Sequence, residues 1–185
     1  VDAYIVATSD RAGGIYGGHG AWYSEEKSVV ENCINNGTVV VSGGTVGGIC
    51  SEWSGDIINC SNNGVVKGNE YVGGIVGDGN LYSYYSNTST ISKCHNDGIV
   101  SGYQYVGGIA GNGYIISESY NLGDVTGVTY VGGIAGAILR TMENVYNVGA
   151  ISANAGYVGG LAGSANDISN SYNAGRVSNN SYLNN

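Results

Sequence analysis

Apolar and polar positions along the chain repeat in two linked patterns. The first places aliphatic residues on either side of two glycines, as in Val106–Ile109, and a tyrosine precedes it in most copies. The second has the form I-x-x-C/S-x-N-x-G-x-V, as in Ile116–Val125. Both patterns contain short β-prone runs broken by glycine and asparagine, and no stretch keeps the period of a helix. The sequence therefore predicts an all-β protein.

The two patterns recur in phase, and this recurrence predicts the architecture. The first glycine of each pair falls at positions 13, 47, 73, 107, 132 and 159, so the spacings are 34, 26, 34, 25 and 27 residues. Fixed periods of this size are typical of solenoids. The basic unit of about 26 residues has room for three short strands and three corners. We predict a single-domain parallel β-helix (β-solenoid) of about six coils with three short strands per coil.

The repeats define the organisation of the whole chain. Residues 12–177 hold the six copies, and residues 1–11 are predicted to form a strand that covers the first coil. Residues 178–185 form either an exit linker or the start of another repeat. Because repeat-like sequence reaches both ends, we expect the chain to be part of a longer one.

Stacked coils place equivalent residues above one another. The aliphatic residue after each glycine pair is predicted to form a core ladder of Ile15, Ile49, Ile75, Ile109, Ile134 and Leu161. The amides of a second ladder are predicted to bond to the backbone and to one another at a corner; its members are Asn35, Asn62, Asn96, Asn121, Asn147 and Asn173. That corner falls at Asn121–Gly123, where asparagine and glycine tolerate positive φ.

Two tyrosine columns are predicted to stack between coils without any ligand. They are Tyr71, Tyr105, Tyr130 and Tyr157, and Tyr120, Tyr146 and Tyr172.

One column holds cysteine in three copies and serine or valine in the others, which favours a small buried side chain. Its members are Cys33, Cys60, Cys94, Ser119, Val145 and Ser171. A Cys33–Cys60 disulfide is the alternative, because adjacent strands lie about 4.8 Å apart.

Composition and charge exclude several partners. The chain has 34 glycines without a collagen period, no proline, and a net charge of −8 with only six lysines and arginines. So few cations argue against nucleic acid and anionic membranes. No apolar run approaches the roughly 18 residues of a membrane span, so no membrane insertion is expected. No CxxC motif or ligand spacing around His19 and His95 suggests a metal, and no cofactor is predicted.

The two long spacings come from insertions at one corner of the coil. Copy one inserts Gly18–Ser28 and copy three inserts Asp78–Thr90, while copy two is short there and carries Trp53. These segments should emerge along one edge, which is where solenoids often bind partners. Flat amphipathic rings suit sugars or peptides, and the predicted ligand-binding residues are Trp22, Tyr23, Trp53, Tyr82, Tyr84 and Tyr85. Alternatively, these rings fold back and pack the loops against the coil.

No catalytic residues are predicted. The GGHG stretch at Gly17–Gly20 matches part of the polygalacturonase pattern, but the Asp-Asp and Arg-x-Lys signatures are missing. Asp97 and Asp124 are expected near each other on adjacent coils, although both occupy exposed turn positions that vary between copies. A glycoside hydrolase needs a converging pair of carboxylates.

The YVGGIAG copies, together with SYNLG and SYNAG, resemble the GLUG motif, whose core is Gly-Leu/Ile-x-Gly. The cores here are GGIYG, GGIVG, GGIAG twice and GGLAG, while GGICS departs at its last residue. The resemblance implies a bacterial surface or secreted protein, either adhesin-like or associated with an IgA-specific peptidase. No HExxH motif is present, so peptidase activity does not carry over.

These observations predict a non-catalytic extracellular or cell-surface repeat domain that acts in adhesion through the aromatic edge. The expected partner is a glycan or a host or surface protein. A structural stalk or spacer accessory to a catalytic domain is one alternative. A polysaccharide-active β-helix enzyme is the other.

Overall fold

The computed structural model describes residues 4–8, 10–18, 28–79 and 89–180. Within these residues the strands are parallel and form four sheets, in which each strand pairs with its equivalents in the neighbouring coils. None of these residues belongs to a helix long and apolar enough to cross a membrane. The predicted β-solenoid of about six coils is therefore confirmed.

The four sheets are named A to D. Sheet A contains Tyr4–Ala7, Thr38–Val41, Val66–Lys67, Val100–Ser101, Val125–Gly127, Ile151–Ala153 and Val177–Asn179. Sheet B contains Arg11–Gly13, Thr45–Gly47, Val72–Gly73, Gln104–Gly107, Thr129–Gly132 and Val158–Gly159. Sheet C contains Val29–Glu31, Cys50–Glu52, Asp56–Ile58, Val76–Asp78, Thr90–Ser92, Ala110–Ser117, Ala135–Glu143 and Ala162–Ser169. Sheet D contains Ile34–Asn35, Ser61–Asn62, His95–Asn96, Tyr120–Asn121, Tyr146–Asn147 and Tyr172–Asn173.

A full coil contributes to all four sheets, so it has at least four strands and not the predicted three. Copies two and three each place two short strands in sheet C. The additional corner is at the glycine pair, where only two residues separate the end of Gln104–Gly107 in sheet B from the start of Ala110–Ser117 in sheet C. A Cβ on Gly107 would overlap the carbonyl oxygen of Ala110. The chain can turn this tightly because glycine has no side chain there.

The interior holds two apolar clusters. One contains the isoleucines that follow the glycine pairs, and the other contains the inward valines of sheets A and B. Ile109 is fully buried, as predicted, and Val106 is fully buried as well, although only two glycines separate them. Ile15 departs from its predicted ladder with 51% exposure, because it lies on the first coil, where the described strands supply a neighbouring coil on one side only.

The predicted asparagine ladder is present. Asn62, Asn96 and Asn121 each donate from Nδ2 to the Oδ1 of the ladder asparagine in the next coil at 2.7 Å. Asn35 and Asn147 make the same contact at 2.7 and 2.8 Å. Each amide also donates to the carbonyl of the glycine two residues later, as Asn121 does to Gly123 at 2.7 Å.

The two repeated patterns contact each other inside the coil. The second glycine of each pair faces the ladder asparagine of the same copy: a Cβ on Gly74 would lie 2.5 Å from Oδ1 of Asn96, and one on Gly48 would lie 2.5 Å from Oδ1 of Asn62. Along the chain, the glycine pair lies between Val106 of one apolar cluster and Ile109 of the other. The ladder asparagine likewise lies between Ile116 of one cluster and Val125 of the other. The glycine–amide contact therefore divides the interior into its two apolar halves.

The predicted positive φ at the Asn121–Gly123 corner is wrong. Six left-handed residues lie instead one position before the cysteine/serine column, with φ between 47° and 56°; they are Asn32, Asn59, Lys93, Glu118, Asn144 and Asn170. Gly123 has a different reason to be glycine, because a Cβ there would overlap the carbonyl of Gly98 in the previous coil.

The cysteine column is a packing column. Cys60 and Cys94 are fully buried, Cys33 is half-buried, and all are free thiols. The Cys60 backbone N–H donates to Sγ of Cys94 at 3.5 Å. The structure therefore holds these residues as stacked thiols and not as the alternative Cys33–Cys60 disulfide.

Candidate binding groove

Five of the six aromatic residues predicted to bind a ligand lie outside the described residues. Trp22 and Tyr23 belong to residues 19–27, and Tyr82, Tyr84 and Tyr85 belong to residues 80–88. Their role stays a prediction.

Trp53, the sixth, packs against its own corner. Its side chain is 9% exposed, and Nε1 donates to the carbonyl oxygen of Asp56 at 3.2 Å. The Tyr16 ring meets the indole edge-to-face, with centroids 5.4 Å apart and planes at 79°. Trp53 thus fills the short corner of copy two, as the packing alternative requires, and offers little surface to a ligand.

Both insertions begin at the same corner of the coil, as predicted. Asp78 is the first residue of the second insertion and the last of its strand. It pairs with Glu52 of the coil before and with Asn112 of the coil after. Tyr16 precedes the first insertion and pairs with Cys50, two residues before Glu52. The starting points therefore lie in one column, two coils apart.

A ladder of stacked tyrosines runs beside this column. The Tyr71 and Tyr105 rings lie 5.0 Å apart at 9°, and Tyr105 and Tyr130 lie 4.7 Å apart at 17°. Tyr157 extends the ladder at 5.0 Å with a tilt of 31°. Because each central ring is covered on both faces, the ladder presents ring edges and phenol oxygens to its surroundings.

A groove of about 270 Å³ lies between the tyrosine ladder and sheet C. Tyr71, Tyr105 and Tyr130 line one side. The remaining lining residues come from three successive strands of sheet C, and they are Asn112, Ala137, Leu139 and Ser164. Asn112, Ala137 and Ser164 form one column of paired positions, so the groove runs along the stack of coils.

The local sequence makes room for the ladder. Gly111 and Gly136, the final glycines of their GGIxG cores, lie beneath the tyrosine backbone: a Cβ on Gly111 would be 2.8 Å from the carbonyl oxygen of Tyr105, and one on Gly136 would be 2.7 Å from its Cα. Tyr105 and Tyr130 have left-handed backbones, with φ of 50° and 53°. That conformation costs a non-glycine residue about 1–2 kcal/mol. Stacking and partial burial of the rings must offset it, and such strain is often found at functional sites.

The end of the groove nearest the second insertion is acidic. Burial raises the pKa of the Tyr71 phenol, and the carboxylates of Asp78 and Glu70 raise this pKa further. Asn112 Nδ2 donates to Oδ1 of Asp78 at 3.1 Å, which joins the insertion corner to the groove. Among the described residues, none of those that line the groove carries a positive charge.

A second aromatic ladder lies on sheet D. It stacks His95, Tyr120, Tyr146 and Tyr172 with centroids 5.0, 4.9 and 5.3 Å apart and planes within 9°. The same residue types are thus stacked on a different sheet without lining the groove. This ladder supplies matched controls for experiments on the first.

The carboxylates near the groove have structural partners. Glu52 is buried and accepts from Arg11 Nε at 2.6 Å. Away from the groove, Asp97 and Asp124 do not align on adjacent coils, because Asp97 follows the Asn96–Asn121 pair and so aligns with Leu122. Asp124 instead accepts from the Ala150 N–H at 2.9 Å. Across the described part of the chain, no three His, Cys, Asp or Glu side chains are grouped as a metal site requires.

Sequence reasoning missed the groove. Its floor residues Asn112, Ala137 and Ser164 belong to a column of paired positions that begins with Glu52 and Asp78 outside the groove. These residues share only their position, directly after each GGIxG core, and their types differ. The signal that could have found the groove is the tyrosine column itself, since it predicts a wall along the stack.

Fold and groove together define a β-solenoid repeat domain with an aromatic groove along its axis. No protein-family model, curated protein or solved structure matches the chain. The resemblance to GLUG repeats therefore stays a prediction from the motif residues.

Proposed function

We propose that this chain is a non-catalytic, extracellular binding domain that holds an extended ligand along the corner shared by the insertions and the tyrosine groove. The observation that carries this proposal is the position of the groove. Its acidic end adjoins Asp78, from which the second insertion departs. Residues that face solvent at a shared corner of successive coils form a continuous contact surface, as in other solenoids.

The GLUG-like repeats support assignment to a bacterial surface or secreted protein that acts in adhesion. A glycan or a surface protein of another cell is the partner class that suits tyrosine edges, amides and hydroxyls. Proteins of this kind also need a rigid frame that keeps contacts in register. The hydrogen-bonded amide ladder and the two apolar clusters provide one here.

The positions and hydrogen-bond partners of Glu52 and Asp78 support binding without catalysis. A glycosidase places two carboxylates about 5–10 Å apart on either side of the scissile bond. Here Glu52 forms an ion pair with Arg11, and Asp78 accepts a hydrogen bond from Asn112. The two residues occupy paired positions in one column of sheet C, so they do not stand on opposite sides of a ligand in the groove.

Arrays of glycans and of extracellular proteins test the proposal. The wild-type chain is compared with a Trp22→Ala/Tyr84→Ala variant of the insertions, a Tyr105→Phe/Tyr130→Phe variant of the groove, and a Tyr120→Phe/Tyr146→Phe control on sheet D. We expect a ligand whose binding is lost in the first or second variant and kept in the control, with unchanged circular dichroism. Absence of binding to every array member would reject the proposal.

A structural stalk is the second candidate, and one observation favours it. The amide ladder and the tyrosine ladders continue from coil to coil with nearly constant spacing, which is what a stiff spacer needs. A stalk would resist mechanical extension and bind nothing. The arrays therefore separate it from the first proposal.

A further inference from the structure

We propose that the groove binds an uncharged, extended polysaccharide that lies along the coil axis, with one sugar unit per coil, and that it excludes acidic glycans. This inference rests on the proposed binding function and adds the ligand class. Three features of the groove carry it: its repeat distance, its surface chemistry and its charge.

The repeat distance comes from the tyrosine wall. Successive rings are 5.0 and 4.7 Å apart from Tyr71 to Tyr130, so a ligand in register must present equivalent groups about once per coil. An extended peptide strand advances about 3.3 Å per residue and loses this register at once. A chain of linked pyranose rings advances by about one ring length, which is close to the spacing of the coils.

A polyproline helix is the peptide that comes nearest. Its turn of three residues advances about 9.3 Å, which is near the span of two ring spacings. However, proline-rich ligands bind by laying pyrrolidine rings on aromatic surfaces in a groove. The faces of Tyr105 are covered by its two neighbours, so the wall lacks the surface that such a ligand needs.

The surface chemistry suits a polyol. Phenol oxygens of the tyrosines, the amide of Asn112 and the hydroxyl of Ser164 are hydrogen-bonding groups along the groove, and Ala137 and Leu139 add apolar area. A sugar ring has hydroxyls at its rim and C–H groups on its faces. The polar groups of the groove can therefore bond to the sugar hydroxyls, and its apolar residues can pack against the C–H faces. The sugar contacts the tyrosines at their ring edges and phenol oxygens, because the ring faces are covered.

The charge excludes uronates and sulfated sugars. Recognition of an anionic sugar calls for arginine or lysine beside each carboxylate. Among the described residues, no arginine or lysine lines the groove. Arg140, which follows the lining residue Leu139, donates from Nη1 to the phenol oxygen of Tyr114 at 3.4 Å. Asp78 and Glu70 lie near Tyr71, at the end of the groove closest to the second insertion. The whole chain carries a net charge of −8. An acidic polymer would be repelled both at long range and at the groove.

Binding is measured by isothermal titration and affinity electrophoresis with neutral polymers (β-glucan, mannan, xylan), acidic polymers (polygalacturonate, alginate) and a ten-residue polyproline peptide. We expect at least one neutral polymer to bind and both acidic ones to fail. The Tyr105→Phe/Tyr130→Phe variant should weaken neutral binding at least tenfold, since two hydroxyl contacts are lost. The Tyr120→Phe/Tyr146→Phe control should bind within twofold of wild type.

Oligosaccharide length provides a second measurement. The groove spans four coils, since Tyr71 belongs to the third copy, Tyr105 to the fourth, Tyr130 to the fifth and Ser164 to the sixth. Affinity should rise with each added sugar and level off at about four units. A Glu70→Gln variant, which leaves the Asp78–Asn112 hydrogen bond in place, should keep neutral binding and lose part of the exclusion of acidic polymers.

Several results would overturn the inference. Tighter binding of an acidic polymer than of any neutral one, unchanged affinity in the Tyr105→Phe/Tyr130→Phe variant, or preferred binding of polyproline would each do so. Binding of another ligand that depends on Trp22 and Tyr84 would overturn the groove inference and leave the proposed function standing. Failure of all polymers, peptides and array proteins would remove both.

Discussion

Replacing Asn121 by alanine removes three hydrogen bonds from the interior of the solenoid. The side chain is fully buried; it donates to the Gly123 carbonyl and to Asn147 Oδ1 and accepts from Asn96 Nδ2, each at 2.7 Å. Alanine leaves one donor and two acceptors without this partner, in a place that water does not reach. The change therefore tests whether the ladder stabilises the fold.

The expected loss follows from the count of bonds. A hydrogen bond within a protein contributes about 1 kcal/mol net, and a buried group left without a partner costs about 1–3 kcal/mol. Three bonds give a loss of about 3 kcal/mol in the free energy of unfolding. An Asn121→Asp variant should lose more at neutral pH, because an ionised carboxylate cannot donate to either acceptor.

The matched control is Asn63→Ala. Asn63 Nδ2 donates to Asn36 Oδ1 at the same 2.7 Å, but on the exposed surface, so the loss should stay within about 0.5 kcal/mol. Urea unfolding followed by circular dichroism gives the free energies. An Asn121→Ala loss under 0.5 kcal/mol, or one equal to that of the control, would refute the reasoning.

The pH dependence of Asn121→Asp gives an independent check. Burial without a cation raises the folded pKa of the new carboxyl above its usual value of about 3.9. The ionised form is then the disfavoured one in the folded state. The stability of the variant relative to wild type should therefore increase as the pH is lowered from 7 to 4. A difference that does not change with pH would contradict the buried, donor-requiring site.

Two further predictions concern the coil interior. Gly108→Ala should cost about 1–3 kcal/mol or more, because its Cβ would overlap the Asn121 amide, while Gly43→Ala, whose Cβ meets nothing within 4 Å, should be nearly neutral in the same urea assay. Burial raises the pKa of Cys50 to about 12 from 9.0, so both states keep the thiol protonated below pH 9, and above it only the unfolded state ionises. The free energy of unfolding should then fall by up to about 1.4 kcal/mol per pH unit between pH 9 and 12, and Cys50→Ala should show a shallower slope.

The sequence predicts the ladders because a strict repeat turns sequence position into spatial position. Once copies stack in register, Asn96, Asn121 and Asn147 must be neighbours, and the structure places them so. The number of strands was harder to predict, because a glycine pair permits either a bulge within one strand or a corner between two. The structure has the corner, with the Ala110 carbonyl lying close against Gly107. This close approach depends on the path of the backbone and cannot be predicted from the two residue types.

The location of the left-handed residue shows a second limit. Asparagine and glycine at the Asn-x-Gly step suggested positive φ there, yet the structure uses the position before the cysteine/serine column. A signal was present, since Asn32, Asn59, Asn144 and Asn170 occupy that column in four of the six copies. Lys93 and Glu118 conceal it, because neither residue type favours a left-handed backbone.

Copy two explains where the groove begins. Its core is GGICS, with Ser51 in the column where the other copies have glycine, and Thr45 in the column where copies three to six have the tyrosine. Copy one also lacks the tyrosine and has Arg11 in that column. The two departures belong together, because a side chain at the glycine position would press on a tyrosine backbone: a Cβ on Gly77 would lie 2.9 Å from the Tyr71 carbonyl oxygen. Without a ring to cover, copy two can carry serine, and Glu52 next to it closes the corner through Arg11. The tyrosine wall thus starts at Tyr71, and the length of the groove is determined by which copies keep both the tyrosine and the glycine.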